Sequence, residues 1–282
     1  MDYIVKKSAI IQARVNSERL PQKIFYNLPF DSNITVIEQI IKRSKKIPNI
    51  NDVIIATTDV SDDRLAKIAK AEEVEMFKGN EHNVLNRFYC AAKENGTDII
   101  VRITGDNPCI DPLLIGTVLE SHIRNEADYT KTEGYPIGLN VEVFNFNALE
   151  KAHDNATEDY EKEHVTPYID RNPQIFKTNI LKALQELYTP DIRITLDTEE
   201  DYALLCTVFD YLYPKDKYFT TYDIVNLFKE KPWLKLINKK ILQKKILTTL
   251  EEELEEAKKL LELQGLRKAS EILERTGQNG KN

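Results

Sequence analysis

Short apolar runs rich in β-branched residues alternate along this chain with longer amphipathic stretches. The runs predict buried parallel strands at Ala9–Gln12, Asp52–Thr57, Ile99–Ile103, Val141–Phe144 and Ile192–Leu196. Apolar residues at helical spacing predict helices over Thr35–Lys45, Ser61–Ala71, Asn83–Asn95 and Leu113–Asn125. Strands that alternate with helices indicate βαβ units, so we expect an α/β fold with a mostly parallel, Rossmann-like sheet flanked by helices.

Length and composition favour one large domain with a helical tail. The chain has 282 residues, of which 41% are hydrophobic and 30% charged, which is ample for one α/β domain. We expect this domain to span residues 1–237, with the less regular stretch 128–188 forming a lid or a dimerisation insertion. The remainder is dense in Leu, Glu and Lys, which predicts a helical extension over 238–275 and a disordered tail over 276–282.

The tail has two open interpretations. Leu250, Leu254, Ala257 and Leu261 recur at helical spacing, and Gly265 would break or kink the helix. This stripe could pack on the domain as a single amphipathic helix, or it could form a short coiled coil between two subunits. We expect a homodimer.

Charge and hydropathy argue against two classes of partner. The net charge is −7 and the isoelectric point is near 5.4, so no nucleic-acid partner is expected. No apolar stretch approaches the roughly 18 residues of a membrane helix, so we expect no membrane insertion. Residues 1–7 lack the apolar stretch of a signal peptide, and a cytoplasmic location is therefore predicted.

A basic loop follows the first predicted strand. It carries Arg14, Arg19 and Lys23 together with Ser17, and Glu18 is its one acidic residue. In α/β proteins, ligands bind beyond the carboxyl ends of the strands. Three cations at such a point suit a polyphosphate better than any other class of ligand.

Two aspartates end two other apolar runs. Asp106 lies in a Gly-Asp turn, where the glycine would let the backbone approach a ligand, and Asp197 precedes an acidic helix start. Carboxylates that end two strands of one sheet can converge on one Mg²⁺. The alternatives are an ordinary turn at Asp106 and a helix cap formed by Asp197 or Thr198.

The motifs Ala-Arg-x-x-Ser-x-Arg-Leu-Pro-x-Lys at 13–23, Gly-Asp-x-Pro at 105–108 and Asp-Thr-x-Glu-Asp at 197–201 resemble one family. It is the spore-coat polysaccharide biosynthesis cytidylyltransferase family, related to the CMP-Kdo and acylneuraminate cytidylyltransferases. The resemblance covers roughly residues 8–245. It implies a fold of the nucleotide-diphospho-sugar transferase type, CTP as substrate and Mg²⁺ as cofactor.

The resemblance also implies roles for individual residues. The catalytic residues would be Arg14, Lys23, Asp106 and Asp197, and the last two would hold Mg²⁺. The nucleotide would be bound by Ala13, Arg14, Ser17, Arg19, Lys23, Thr57, Asp59, Arg87 and Thr104. The acceptor side would include Asn140, Glu142, Glu163 and His164.

Asn16 and Gln22 stand where family members commonly have glycine. Asparagine tolerates left-handed backbone, so we expect Asn16 to keep the shape of the loop. Thr104 replaces a glutamine of the CMP-Kdo enzymes, which puts base or ribose recognition at this position in doubt.

The sequence therefore predicts a CTP-dependent cytidylyltransferase that transfers CMP to a small acidic acceptor and releases pyrophosphate. The acceptor would be an acidic sugar or a sugar or polyol phosphate used for surface polysaccharide or glycoconjugate synthesis. Two alternatives remain open: a GT-A-like glycosyltransferase that uses a nucleotide-sugar, and a non-enzymatic interaction protein that acts through the tail.

Overall fold

The computed structural model describes residues 5–17, 19–60, 62–241 and 249–279, and of 274–279 only the backbone. The chain divides into two compact units, one reaching to Ile241 and the other starting at Leu242. Within the described residues, no helix is both long and apolar enough to cross a bilayer.

A seven-stranded sheet runs through the described part of the first unit. Its strands are β1 Lys7–Gln12, β2 Asp52–Thr58, β3 Glu75–Gly79, β4 Ile99–Thr104, β5 Tyr129–Glu133, β6 Glu142–Asn145 and β7 Thr178–Lys182. They are ordered β3-β2-β1-β4-β6-β5-β7. All neighbours are parallel except β6, which is antiparallel to both β4 and β5. The predicted α/β fold with a mostly parallel sheet is confirmed.

Helices cover both faces of the sheet. In the first unit they are α1 Val36–Ser44, α2 Asp63–Ala71, α3 Val84–Glu94, α4 Pro112–Arg124, α5 Phe146–Asn155, α6 Asp159–His164, α7 Pro167–Arg171, α8 Glu199–Leu212 and α9 Thr221–Glu230. Neighbouring strand residues point to opposite faces, so Ile11 joins a core with α1, α2, α4, α8 and α9. Ile10 joins a second core with α3, α5 and α7.

The four predicted helices of the first half are confirmed, and their caps explain where they begin. Thr35 and Glu38 form a reciprocal capping box at α1. Asp62 caps α2, while Ser61, the predicted start, lies outside the described residues. Asn83 caps α3 and Asp111 caps α4.

Four of the five predicted strands are confirmed, and β3, β5 and β7 were missed. Each missed strand is five residues long and carries charged or amide side chains at several positions, so none reads as an apolar run. Two of them, β5 and β7, fall in the stretch 128–188. A role of that stretch as a lid or dimerisation arm stays a prediction.

The second unit contains α10 Leu250–Leu263 and α11 Arg267–Asn279. Gly265 separates them with a left-handed φ of 72°, as its position in the sequence indicated. Residues 276–279 belong to α11, and 280–282 lie outside the described residues. A homodimer joined through these helices stays a prediction.

Candidate active site

The turn that follows β4 orients Asp106. Gly105 donates its N–H to the carbonyl oxygen of Gln12 (2.8 Å), and a Cβ at position 105 would lie only 3.0 Å from that oxygen. The glycine therefore lets two strand ends pack together, whereas the sequence suggested an approach to a ligand. Thr104 Oγ1 donates to Asp106 Oδ1 (2.5 Å) and accepts from Asn107 Nδ2 (2.8 Å). The second carboxylate oxygen of Asp106 is left for other contacts.

The segment 192–196, predicted as a strand, forms within the described part of the chain a single isolated bridge, between Arg193 and Ile137. Ile137 donates its N–H to this segment and accepts an N–H from it, both at 2.8 Å. The ladder stops there because the next N–H groups bond elsewhere: Leu139 donates to the carbonyl oxygen of Pro136 (3.0 Å), and Ile192 donates to that of Thr189 (3.1 Å). The strand prediction was wrong because the partner is a loop that cannot extend the pairing.

The same segment nevertheless brings Asp197 to Asp106. Leu196 donates its N–H to the carbonyl oxygen of Asp106 (2.8 Å), and Thr195 Oγ1 donates to that oxygen at 3.3 Å. Asp197 follows directly in the chain. Backbone hydrogen bonding therefore places the two aspartates side by side, although Asp197 does not end a strand of the sheet.

Lys23 lies between the two carboxylates. Its ammonium donates to the carbonyl oxygen of Leu196 (2.6 Å) and to Asp197 Oδ1 (2.9 Å), and it reaches Asp106 Oδ2 at 3.4 Å. Lys23 is only 8% exposed. Three oxygen acceptors match the three hydrogens of the ammonium, so its hydrogen-bonding capacity is filled by protein groups.

Arginines hold the other oxygen of Asp197. Asp197 Oδ2 accepts from Arg193 Nη2 (2.7 Å) and lies 3.0 Å from Arg19 Nη2. Burial alone would raise the pKa of Asp197, but the charges of Lys23, Arg193 and Arg19 outweigh it and lower the pKa. Asp197 is therefore an ionised carboxylate surrounded by three cations.

Arg193 is itself fixed by Asp201, which has no exposed surface. Arg193 Nε and Nη2 donate to the two oxygens of Asp201 at 3.0 and 2.9 Å. Asn238 Nδ2 donates to Asp201 Oδ1 (2.9 Å) and to the carbonyl oxygen of Arg193 (3.1 Å). Sequence reasoning did not assign Arg193, Asp201 or Asn238 to the site.

The hydrogen bonds at the start of α8 show which residues cap this helix. Thr198 and Asp201 form the capping box, in which Thr198 Oγ1 accepts the N–H of Asp201 (3.3 Å). Asp197 is thus not used as a cap, and its carboxylate points to Lys23. The Thr-x-x-Asp spacing was the signal that could have identified Asp201 as a buried cap. Nothing in the sequence marks the distant Asn238 as a partner of Asp201.

Arg14 and Arg87 lie near each other beyond the ends of β1 and β3. Arg14 is exposed, whereas Arg87 is buried and donates through Nη1 to the carbonyl oxygens of Asn80 (2.7 Å) and Glu81 (3.1 Å). Burial lowers the pKa of Arg87, and the positive charge of Arg14 lowers it further. Arg14 is therefore the one of this pair that presents its side chain to solvent.

The other predicted nucleotide contacts surround this edge of the sheet. Ala13 is buried, and its N–H is bonded to the carbonyl oxygen of Ala56 (3.1 Å). Thr57 is buried, and its hydroxyl has no hydrogen-bond partner among the residues that the structure describes. Asp59 is exposed and Ser17 is half-buried.

Glu142, predicted on the acceptor side, is paired within the sheet. On β6 it lies opposite Arg102 of β4, whose Nη1 donates to Oε2 (2.5 Å). Tyr129 and Thr166 donate their hydroxyls to Oε1 at 2.5 and 2.7 Å. Burial would raise the pKa of Glu142, but Arg102 and the two hydroxyls lower it. The carboxylate is therefore ionised and its oxygens are occupied by protein contacts.

The remaining acceptor candidates lie on loops and at the end of α6. Asn140 and Glu163 are exposed and His164 is half-buried. Val165 has φ 72° and ψ −55°, and the N–H of Thr166 donates to the carbonyl oxygen of His164 (2.9 Å). This is the rarer, strained form of γ-turn, and it directs Thr166 toward Glu142.

The basic loop takes its left-handed residue at Gln22 and not at Asn16. Gln22 has φ 57° and ψ 19°. Asn16 is not among the described residues with positive φ, so the expectation for it was wrong. A left-handed residue directly before Lys23 turns the chain into the short 3-10 helix Lys23–Phe25, which aims Lys23 at the aspartates.

The chain as a whole is similar to several known proteins. A family model described as Cytidylyltransferase matches residues 8–272. An uncharacterized protein of Methanocaldococcus jannaschii is 38% identical over 246 residues, which cover 85% of this chain and 97% of that protein. The spore coat polysaccharide biosynthesis protein SpsF of Bacillus subtilis is 35% identical over 203 residues, covering 71% and 85% of the two chains.

Solved structures show the same architecture. A cytidylyltransferase from Leptospira borgpetersenii superimposes with a TM-score of 0.75 at 29% identity. The match covers 87% of this chain and 100% of that chain.

Proposed function

The chain belongs to the cytidylyltransferase family, and we propose that it transfers CMP from CTP to a small acidic acceptor with release of pyrophosphate. The observation that carries this proposal is the meeting of Asp106, Asp197 and Lys23 at the carboxyl edge of the sheet. Arg14 and Arg19 add positive charge at the same edge. The glycosyltransferase and interaction-protein alternatives have no comparable support.

In the proposed reaction, an oxygen of the acceptor attacks the α-phosphorus of CTP. The new bond joins that oxygen to phosphorus, and the bond to the bridging oxygen of the β-phosphate breaks, so that pyrophosphate leaves with its electron pair. Such a transfer depends on alignment and on neutralisation of charge. Arg14, Arg19 and Lys23 would supply that charge to the phosphates.

The donor set at the aspartates fits Mg²⁺. No group of three His, Cys, Asp or Glu that could hold a metal occurs in the described ranges. Mg²⁺ commonly uses one or two protein carboxylates and takes its other ligands from substrate phosphates and water. Asp106 and Asp197 would hold the ion, and Lys23 already shows that a cation is stabilised between them. When bound, the metal would neutralise triphosphate charge.

The nucleoside and the acceptor would occupy different parts of the same edge. We propose that the nucleoside lies near Arg14 and the end of β2, at Thr57 and Asp59. Arg87 would hold the loop at 80–81 through its hydrogen bonds to the carbonyl oxygens of that loop. Thr104 is bonded to Asp106 and would act on its orientation. Asn140, Glu163 and His164 remain our candidates for the acceptor.

The class of acceptor rests on similarity to a named relative. SpsF is described as a spore coat polysaccharide biosynthesis protein. We therefore propose an acidic sugar or a sugar or polyol phosphate that becomes part of a surface polysaccharide or glycoconjugate. Glu142 is neutralised by Arg102, so this pair would not repel an anionic acceptor.

A pyrophosphate-release assay tests the proposal. Purified protein with CTP and Mg²⁺ is offered acidic sugars, sugar phosphates and polyol phosphates. We expect release with one of these classes, and a loss of about a hundredfold or more in Asp106→Asn, because a carboxylate near the reacting phosphates is removed.

The matched control is Asp52→Asn. Asp52 is paired with Lys6 at the opposite edge of the sheet, where β2 begins, and the variant should retain the wild-type rate. Release that persists undiminished in Asp106→Asn would contradict the proposed site.

A further inference from the structure

We infer that Lys23 and Arg19 neutralise Asp106 and Asp197 until a triphosphate draws these two side chains away, so that metal and nucleotide bind this site together. The identity of the nucleotide rests on the proposed function. The inference about the exchange of partners rests on the contacts of Lys23 and Arg19.

Lys23 cannot bind phosphate without giving up a protein contact. Its ammonium is bonded to Leu196 and Asp197 and lies within 3.4 Å of Asp106, with 8% of the residue exposed. An ammonium has three hydrogens and no further donor. A phosphate oxygen that reaches Lys23 must therefore replace one of these oxygens.

The charges of the cluster balance before any ligand arrives. Asp106 and Asp197 contribute two negative charges, and Lys23 and Arg19 contribute two positive ones at 2.9 to 3.4 Å. Arg193 adds no net charge because Asp201 neutralises it. A divalent ion that approaches alone meets a neutral cluster with an ammonium between the two carboxylates, which opposes its entry.

A triphosphate changes this balance. It brings several negative charges, which attract Lys23 and Arg19. Arg19 can move at low cost because 42% of its side chain is exposed, whereas Lys23 is confined. Once both cations contact phosphate, the carboxylate oxygens become available to a metal. Lys23 therefore has opposite effects on the two ligands: it weakens binding of metal alone and strengthens binding of the nucleotide.

Mn²⁺ serves as the probe, because the free ion gives a paramagnetic resonance signal that bound ion lacks. The full chain without nucleotide is titrated with Mn²⁺ alone. We expect Lys23→Met to bind Mn²⁺ about tenfold more tightly than wild type, because a charge between the carboxylates is removed. In the presence of saturating Mn²⁺, the same variant should bind CTP about tenfold more weakly.

Controls separate this effect from a general change in charge. Lys42→Met removes an ion-paired lysine on α1, outside the cluster, and should alter neither affinity. Lys23→Met combined with Asp106→Asn should lose the gain in Mn²⁺ affinity. Because Lys23 is buried, Arg19→Gln provides a second test at an exposed side chain and should also strengthen binding of Mn²⁺ alone.

The inference is overturned if neither Lys23→Met nor Arg19→Gln binds Mn²⁺ more tightly than wild type. It is also overturned if the gain survives Asp106→Asn, because the metal would then lie elsewhere. The Mn²⁺ titration involves no acceptor and no turnover. A failure to release pyrophosphate would therefore count against the proposed function alone.

Discussion

Replacing Asp201 with asparagine should destabilise the first unit strongly. Asp201 has no exposed surface and accepts five hydrogen bonds from residues that the structure describes. Two come from Arg193, one comes from the Asn238 amide, and two come from the N–H groups of Asp197 and Thr198. Asparagine keeps the size of the side chain but removes its charge and replaces one acceptor oxygen with a donor.

The expected loss of stability follows from the charge of Arg193, which stays buried when Asp201 is replaced. Arg193 is almost fully enclosed and keeps its charge, and the NH₂ group of the new amide would face hydrogen-bond donors. Removing one partner of a buried ion pair costs about 3–5 kcal/mol of unfolding free energy. Arg193 still has Asp197 at 2.7 Å, which places the expected loss toward the lower end of that range.

Urea unfolding followed by tryptophan fluorescence measures this loss. The chain has one tryptophan, Trp233, which lies in the first unit close in sequence to Asn238. The midpoint should fall by about 1 M or more, with the slope unchanged. The control is Asp52→Asn, in a half-buried pair whose side chains are 37% (Lys6) and 39% (Asp52) exposed, and it should cost no more than about 1 kcal/mol. A loss below about 1 kcal/mol in Asp201→Asn would refute the reasoning.

Two further predictions concern Glu142 and Gln22. The folded-state pKa of Glu142 lies below its ordinary value of 4.5, so its ion pair adds stability above about pH 4.5 and loses it as the pH falls. The stability gap between wild type and Glu142→Gln, measured by urea unfolding, should therefore be larger at about pH 6 than at about pH 3, and an equal gap would contradict this. Gln22→Gly should raise stability by about 1 kcal/mol because it relieves a left-handed backbone, whereas Gln185→Gly, at an ordinary φ, should lower it. Thermal unfolding compares the two, and a loss in both would refute the strain at Gln22.

The sequence carried enough information to predict the sheet and the convergence of Asp106 with Asp197. Apolar β-branched runs marked β1, β2 and β4, because a buried central strand needs apolar residues on both faces. The strands it missed lie toward or at the edges, where polar residues interrupt the run. A continuous apolar run marks a strand buried on both faces, so a strand interrupted by polar residues does not give this signal.

The sequence indicated which charged residues meet in this cluster but not how they pair. The sequence assigned Lys23 to phosphate, which stays a prediction, and did not indicate that its ammonium is bonded to the aspartates. The register of β4 with β6 sets Glu142 against Arg102, a pairing that the sequence did not indicate, and the role of Glu142 toward an acceptor stays a prediction. Pairings of this kind depend on strand register and loop closure, which no local pattern specifies.

The two aspartates of the motif at 197–201 have different roles at the start of α8. A side chain that caps a helix accepts one of the free N–H groups of the first turn. Here Thr198 and Asp201 form the capping box of α8. Asp201 also binds Arg193, which donates to one oxygen of Asp197. Asp197 is therefore held from α8, through Asp201 and Arg193, without capping the helix itself, and its other oxygen faces Lys23. Since Asp106 is oriented by Thr104 in the same way, Lys23 lies between two carboxylates that are each fixed before any ligand binds.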